Sequence, residues 1–290
     1  MPENSQKISL SLLMRRYWSR TAFTWFLVVA DGLLFLMFPL AIGWSVDGLI
    51  RGDYSGLLSL AILCGLVLIT GAGRRFYDTR VYSGIYQEIS REFVERENRR
   101  GAPVSRTAAR AGLFTELIEF LENSLPEIVN QAINFGGTLL VIAFIDLHIF
   151  LNCLIGAVFT LLVFSSSEKR IVALNKGLND EQERQVEVIA ENHASGIKAH
   201  FRRMMRWNIR LSDLETWNFA AAWAILATVL IASISASVDA SGSDGGQTQY
   251  GEIIAVIMYV FGFIESVMVF PLFYQQLLRL GDISRRLSEA

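Results

Sequence analysis

Cysteine, histidine and proline are scarce, at two, three and five among 290 residues. Cys64 and Cys153 both fall inside apolar runs and read as small buried residues, so no disulfide framework is available. His148, His193 and His200 stand in separate contexts without the spacing of a ligand set, and no metal is expected. Net charge is only −2, so the basic footprint of a nucleic-acid binder is lacking. No G-x-x-x-x-G-K-S/T segment occurs, which removes the loop that would cradle ATP phosphates through backbone N–H groups and a lysine. No cofactor is called for, and no ATPase activity is expected of this polypeptide. A cleavable signal peptide is missing too, because the apolar run after Arg20 is too long and has no small-residue cleavage site. That run reads as a first membrane span that also targets the chain.

What the sequence does hold is apolar length. Hydrophobic residues make up 52% and mean hydropathy is +0.37, too apolar for an ordinary soluble domain. Yet 19% of residues are charged, so a large part must live in water. Of the 26 Lys and Arg residues, only Arg51 falls outside four blocks: the N-terminus to Arg20, residues 74–122, residues 168–218, and the tail from Arg279. Apolar runs separate these blocks. Positive charge marks the cytoplasmic side of a bilayer protein, so the pattern predicts a multi-pass inner-membrane protein with six spans and both termini cytoplasmic.

A span needs about 20 apolar residues to cross a ~30 Å hydrocarbon core. Residues 22–49, 56–73, 125–145, 147–166, 219–238 and 253–276 meet that length. Residues 1–21, with Ile8, Leu10, Leu12 and Leu13 beside Arg15, Arg16, Tyr17 and Trp18, suggest an interfacial helix. The outer connections are short; the last is a flexible loop opening at Asp239 without one Lys or Arg. The inner ones, 74–124 and 167–218, are long and not rich in Pro or Gly. Each reads as a helical hairpin continuing two membrane helices, with breaks expected at residues 101–103 and at Ser195-Gly196. Residues 279–290 form a cytoplasmic tail.

At this point a resemblance becomes specific. Pro39 to Ile50, the Arg74-Arg75 to Phe93 stretch, Gly112 to Pro126, Ile189 to Phe201, and Arg279 to Glu289 resemble, in order, segments of the transmembrane domain of ABC exporters. The resemblance implies an all-α fold of six spans with two long cytoplasmic hairpins, paired as a twelve-helix homodimer. It also implies that turns near Gly101, Pro103 and Arg106, and near Gly196, Lys198, Phe201 and Arg202, are coupling segments that dock on a nucleotide-binding domain. The sequence departs from the family by stopping at Ala290 with no such domain, and the family's usual Asp before span 3 is represented only by Glu119 or Glu122 nearby.

Two carboxylates stand out. A charged side chain in mid-span costs about 2.5–3.5 kcal/mol on insertion scales and usually faces a cavity. Asp31 lies nine residues into span 1, about 14 Å from its start, and Glu265 lies twelve residues into span 6, about 18 Å from its start. Both are candidates for a cavity that binds a cationic group or a proton, with Asn134, Phe261 and Phe263 as neighbouring candidates. The plainer alternative for each carboxylate is a neutral, hydrogen-bonded packing role. Asn134 is more often an interhelical hydrogen-bonding residue. The two Phe are equally readable as core or lipid-facing.

The expected function is transport of a small organic or peptide-like solute, with cationic cargo as a candidate, by an alternating-access homodimer in the bilayer. Two drives remain open. In one, the protein resembles the SbmA/BacA-type importers, which share the fold, lack nucleotide-binding domains and use a proton gradient. In the other, a separate nucleotide-binding subunit docks on the inner loops. A membrane receptor or scaffold without transport is a third class.

Overall fold

The computed structural model describes residues 15–101, 103–243 and 250–289, of which 105, 106, 109, 110, 240–243, 274, 275, 277–280 and 282–289 are described by their backbone alone. Among the described residues all regular structure is helical, and six helices are long and apolar enough to cross a membrane. The chain divides into two units, residues 1–145 with 240–290 and residues 146–239.

In the first unit, span 1 is two helices. α1 (Trp18–Leu36) stops at Met37, and α2 (Phe38–Arg51) restarts with Pro39 in its first turn. Proline has no N–H to donate and fits a helix start, so the sequence cuts the span there. Gly52 closes α2 in the left-handed conformation (φ 76°), where a side chain would be strained. Asp53 then accepts from the Ser55 N–H (2.9 Å) and hydroxyl (2.6 Å) to open α3. The Ser55 hydroxyl, followed by its backbone N–H, holds the Asp53 carboxyl below its ordinary value.

α3 (Ser55–Arg99) has 45 residues, about 67 Å of helix, more than twice a ~30 Å core. It therefore carries the chain well past the span. After the turn at Gly101, α4 (Val104–Glu119) runs back against it. Between α4 and α5 (Leu125–Ile145) lies a π-helical turn, Phe120–Ser124. It ends two residues before Pro126, whose ring would collide with the carbonyl four residues upstream, within the turn, in a regular helix.

The hairpin extension has its own core. Tyr82, Ile85, Ile89 and Phe93 from α3 meet Phe114, Leu117, Ile118 and Leu121, with Tyr17 completing the cluster. These spacings of three and four residues put each set on one helix face. Phe93 and Phe114 pack edge to face at 5.1 Å. Arg16 clamps α3 through a two-pronged pair with Glu92 (2.8 and 2.6 Å), and Glu88 receives both Arg16 and Arg20 at 3.2 Å. α9 (Tyr250–Glu289) completes this unit, packing on α2 and α5 and carrying Pro271 within it.

The second unit is a helical hairpin. Asp146 caps α6 (Leu147–Glu183) by accepting from the N–H groups of His148 (2.6 Å) and Ile149 (3.1 Å), which accounts for a carboxylate between two apolar runs. The short α7 (Gln185–Glu191) ends at Asn192 in the left-handed conformation (φ 50°), and α8 (Ala194–Ser243) returns antiparallel. Contacts run down the whole pair. Gly156 lies under Val229, Ser167 bonds Asn218 at 2.7 Å, Gly177 lies under Trp207, and Glu181 holds His200 at 2.8 Å and Arg203 at 2.9 Å.

Three expectations are corrected. The break in the second hairpin is at Asn192-His193, not at Ser195-Gly196, because Asn tolerates the left-handed state while Gly196 sits within the first turn of α8. Span 1 is divided rather than continuous. The segment from Asp239 is helical through Ser243; residues 244–249 of the expected loop, like most of the expected N-terminal interfacial helix, lie outside the described residues.

Candidate functional site

The polar residues of the first unit gather on spans 1, 2, 3 and 6. Arg74 on α3 reaches Asp31 on α1 (NH1 to Oδ2, 3.1 Å) and Asp78 one turn along its own helix (Nε to Oδ2, 3.4 Å). Asp31 and Asp78 are 8% and 4% exposed. Asn130 on α5, its amide oriented by its neighbours, donates to the Val28 carbonyl (2.9 Å) and accepts from Arg74 (3.3 Å). Gly32 admits this approach, since a Cβ there would lie 3.0 Å from the Asn130 amide nitrogen. One cation thus serves two buried carboxylates.

Asp31 therefore does not stand alone as a cavity carboxylate. Counted from the end of α2 at Arg51 it lies 20 residues along span 1, about 30 Å, and Arg74 lies a matching distance from Ser55. Their meeting ties spans 1 and 2 together at the same distance from the turn that joins them. Counted from Trp18, where the first membrane-length segment begins, Asp31 lies 13 residues in, about 20 Å.

One turn towards the other end, spans 3 and 6 share a polar seam. Asn134 donates to the Ser266 hydroxyl (3.2 Å) and accepts from Thr138 (3.4 Å), and the Ser266 hydroxyl faces the Gly262 carbonyl (3.0 Å) and Gln131 (3.4 Å). Phe263 is buried and stacks on Phe135 with ring centres 5.7 Å apart. Asn134 is thus an interhelical bond and Phe263 a core residue. Glu265 and Phe261 instead point outward and are exposed.

At the far end, α2 and α9 touch backbone to backbone where Gly43 meets Gly251. The Gly251 N–H donates to Asp47 (2.8 Å), and Tyr259 donates to the Leu36 carbonyl at the break in span 1 (2.8 Å). Beside this crossing lies a cavity of about 270 Å³ lined by residues including Trp44, Asp47, Ile145 and Glu252.

The predicted docking turns differ in form. Gly101 takes φ 68° and Pro103 caps α4; both are exposed. The Arg106 side chain lies outside the described residues. Lys198, Phe201 and Arg202 are exposed on the first turns of α8, with Gly196 half-buried beside them. Alanine at Gly101 is expected to destabilise the first hairpin by about 1–2 kcal/mol, the cost of a left-handed side chain. Proteolysis of residues 95–110 in native membranes checks this, and an unchanged cleavage rate would refute it. Sequence reasoning missed Arg74 and Asp78. Their spacing of four residues beside a span end was a legible signal of a pair, but not of Asp31 as the third member.

The model of the ABC transporter transmembrane region matches residues 10–243. The chain belongs to that family. Among solved structures it is similar to a bacterial Atm1-family ABC exporter with ATP bound, at 14% identity and a TM-score of 0.59 over 96% of this chain and 54% of that one. The chain thus spans about half the length of that exporter, and the likeness shows the ABC-exporter fold. A search of curated protein sequences finds no match. This is a multi-pass membrane protein with an exporter-type transmembrane domain.

Proposed function

We propose that the chain is a transporter that pairs with a second copy around a water-filled cavity and moves a small organic or peptide-like solute with cationic groups. Alternating access is driven by a proton or ion gradient, without an ATPase of its own. The single observation that carries this is Glu265: a carboxylate midway along an apolar helix, exposed on the chain's surface between the seam residue Ser266 and exposed Phe261. Against hydrocarbon it would cost about 2.5–3.5 kcal/mol, so water or a partner must cover it. A cavity with one such carboxylate from each chain favours cationic cargo. The clustering of Lys and Arg supports the inner membrane and cytoplasmic termini.

A second reading, the membrane subunit of a split ABC transporter, is favoured by a separate observation. The exposed turns at Gly101-Pro103 and Asn192-His193 cap helices that run far beyond the spans, where a nucleotide-binding subunit would dock. A receptor or scaffold would need neither feature to move.

Gentle extraction from native membranes separates the first two: a complex at twice 32.5 kDa supports the paired transporter, and a co-purifying subunit with a phosphate-binding loop supports the split one. Glu265→Gln is expected to lower uptake of a fluorescent cationic peptide into inside-out and right-side-out vesicles by roughly tenfold or more, the scale of one lost charge contact. Undiminished uptake by that variant rules out the role given to Glu265. Cysteines placed beside Glu265 will be labelled from alternate sides as the gradient is reversed; labelling from one side alone points to the scaffold.

A further inference from the structure

Arg74 and the two carboxylates it touches sum to one negative charge. Among the described residues that meet there, Arg74 is the only cation, and Asp31 and Asp78 are both more than nine-tenths buried. Each carboxylate gives one oxygen to Arg74 and keeps the other, Oδ1, buried with no partner. The Thr24 hydroxyl, wholly buried on α1, lies against Asp78 as its nearest hydroxyl donor. Gly71, one turn from Arg74, leaves open the space beside the free oxygen of Asp31: a Cβ there would lie 3.9 Å from it. The other titratable groups near Asp78 are Tyr82 on α3 and Glu122 on the π-helical turn, and neither supplies positive charge. Asn130 on α5 is neutral.

Two buried carboxylates that share a single cation keep a negative charge that burial disfavours until something balances it. The proton is the smallest species able to balance the site.

We propose that Asp31 and Asp78, held on either side of Arg74 between α1, α3 and α5, together bind and release one proton per chain. The O–H bond forms on one of the two free carboxylate oxygens, with the proton taken from hydronium and returned to water. Protonated, Arg74, Asp31 and Asp78 sum to zero; deprotonated, the three carry one negative charge, to which the neighbouring Glu122 adds. Arg74 belongs to α3, whose far half carries the hairpin core, so the two states load the same long helix differently. The transporter reading above enters only in what the proton is for: it makes this site, between spans 1, 2 and 3, the seat of the coupling proton, while Glu265 meets the solute.

The test uses the full chain reconstituted in phosphatidylcholine–phosphatidylglycerol vesicles, with the proton itself as probe. Difference infrared spectra across a pH titration are expected to show one protonated-carboxyl C=O band per chain that disappears as pH rises and shifts in heavy water. Asp31→Asn and Asp78→Asn each leave Arg74 with a single carboxylate, a neutral pair that needs no proton. Either substitution alone is therefore expected to abolish the band while the chain stays folded. Arg74→Gln, which leaves two carboxylates and no cation, is expected to double it. A wild-type chain without a titrating band, or a band that survives both Asn variants, overturns the proposal. A band that behaves as expected in a chain that carries no solute under any gradient leaves the proton site standing and removes the transporter reading.

Discussion

Valine in place of Gly251 will leave little folded chain. At the crossing of α2 and α9 a Cβ on Gly251 would fall on the Gly43 carbonyl oxygen and 2.7 Å from the carboxyl carbon of Asp47, and a Cβ on Gly43 would meet the Gly251 carbonyl. The two carbonyls are backbone and cannot turn aside, so the helices must separate. Separation also breaks the Gly251 N–H bond to Asp47. Overpacking costs about 1–3 kcal/mol, and a hydrogen bond to a charged group contributes about 1.5–3 kcal/mol. Together these approach the total stability of many domains, ~5–15 kcal/mol. Helices in a bilayer have no hydrophobic drive towards one another and depend on such close contact. Gly65 has no atom within 4 Å of its would-be Cβ, so Gly65→Val is the matched control. Thermal unfolding followed by size exclusion in detergent decides it. Equal melting of the two variants would mean that the crossing does not hold spans 1 and 6 together.

The contrast between those glycines marks what the sequence could and could not tell. Six spans and two long hairpins were readable because apolar run length and the confinement of Lys and Arg are one-dimensional signals, set by bilayer thickness and surface charge. The caps were partly readable: Asp146 between two apolar runs has the residue type of an N-cap, and Gly101 before Pro103 that of a helix end. The break in the second hairpin went to Asn192 because glycine is tolerated inside a helix at a cost of about 1 kcal/mol, and Gly196 alone was no proof of a turn. Tertiary pairs were not readable. Nothing local distinguishes Gly43, on a helix crossing, from Gly65, facing open space. Likewise Asp31 on its own read as a lone carboxylate, since its partner sits 43 residues away. Glu265 was picked for its rarity in a span; its neighbour Ser266, which ties spans 3 and 6 together, was passed over because serine is common in membrane helices.

The stability of the Arg74 group will follow its net charge rather than its number of bonds. Arg74→Gln removes the only cation among the described residues that meet there and strands two buried carboxylates; breaking a buried pair in this way costs about 3–5 kcal/mol. Adding Asp31→Asn to that variant returns the group to the wild-type imbalance of one negative charge, although it restores no salt bridge, and most of the lost stability will come back. Asp31→Asn by itself gives Arg74 and Asp78 as a neutral pair and will be at least as stable as the wild type, although it deletes the 3.1 Å contact. The opposite ordering is what a bond-counting account requires: each substitution should weaken the bundle, and the double variant most of all. Unfolding in denaturant of the four chains at neutral pH, in one detergent, separates the two accounts. If Asp31→Asn is clearly destabilised and the double variant worse than Arg74→Gln, the site is a structural clamp between spans 1 and 2 with no vacancy for a proton. If the double variant recovers, α1 and α3 are joined through a group whose charge is incomplete by design of the sequence, with Arg74 as the shared arm that responds when the balance changes.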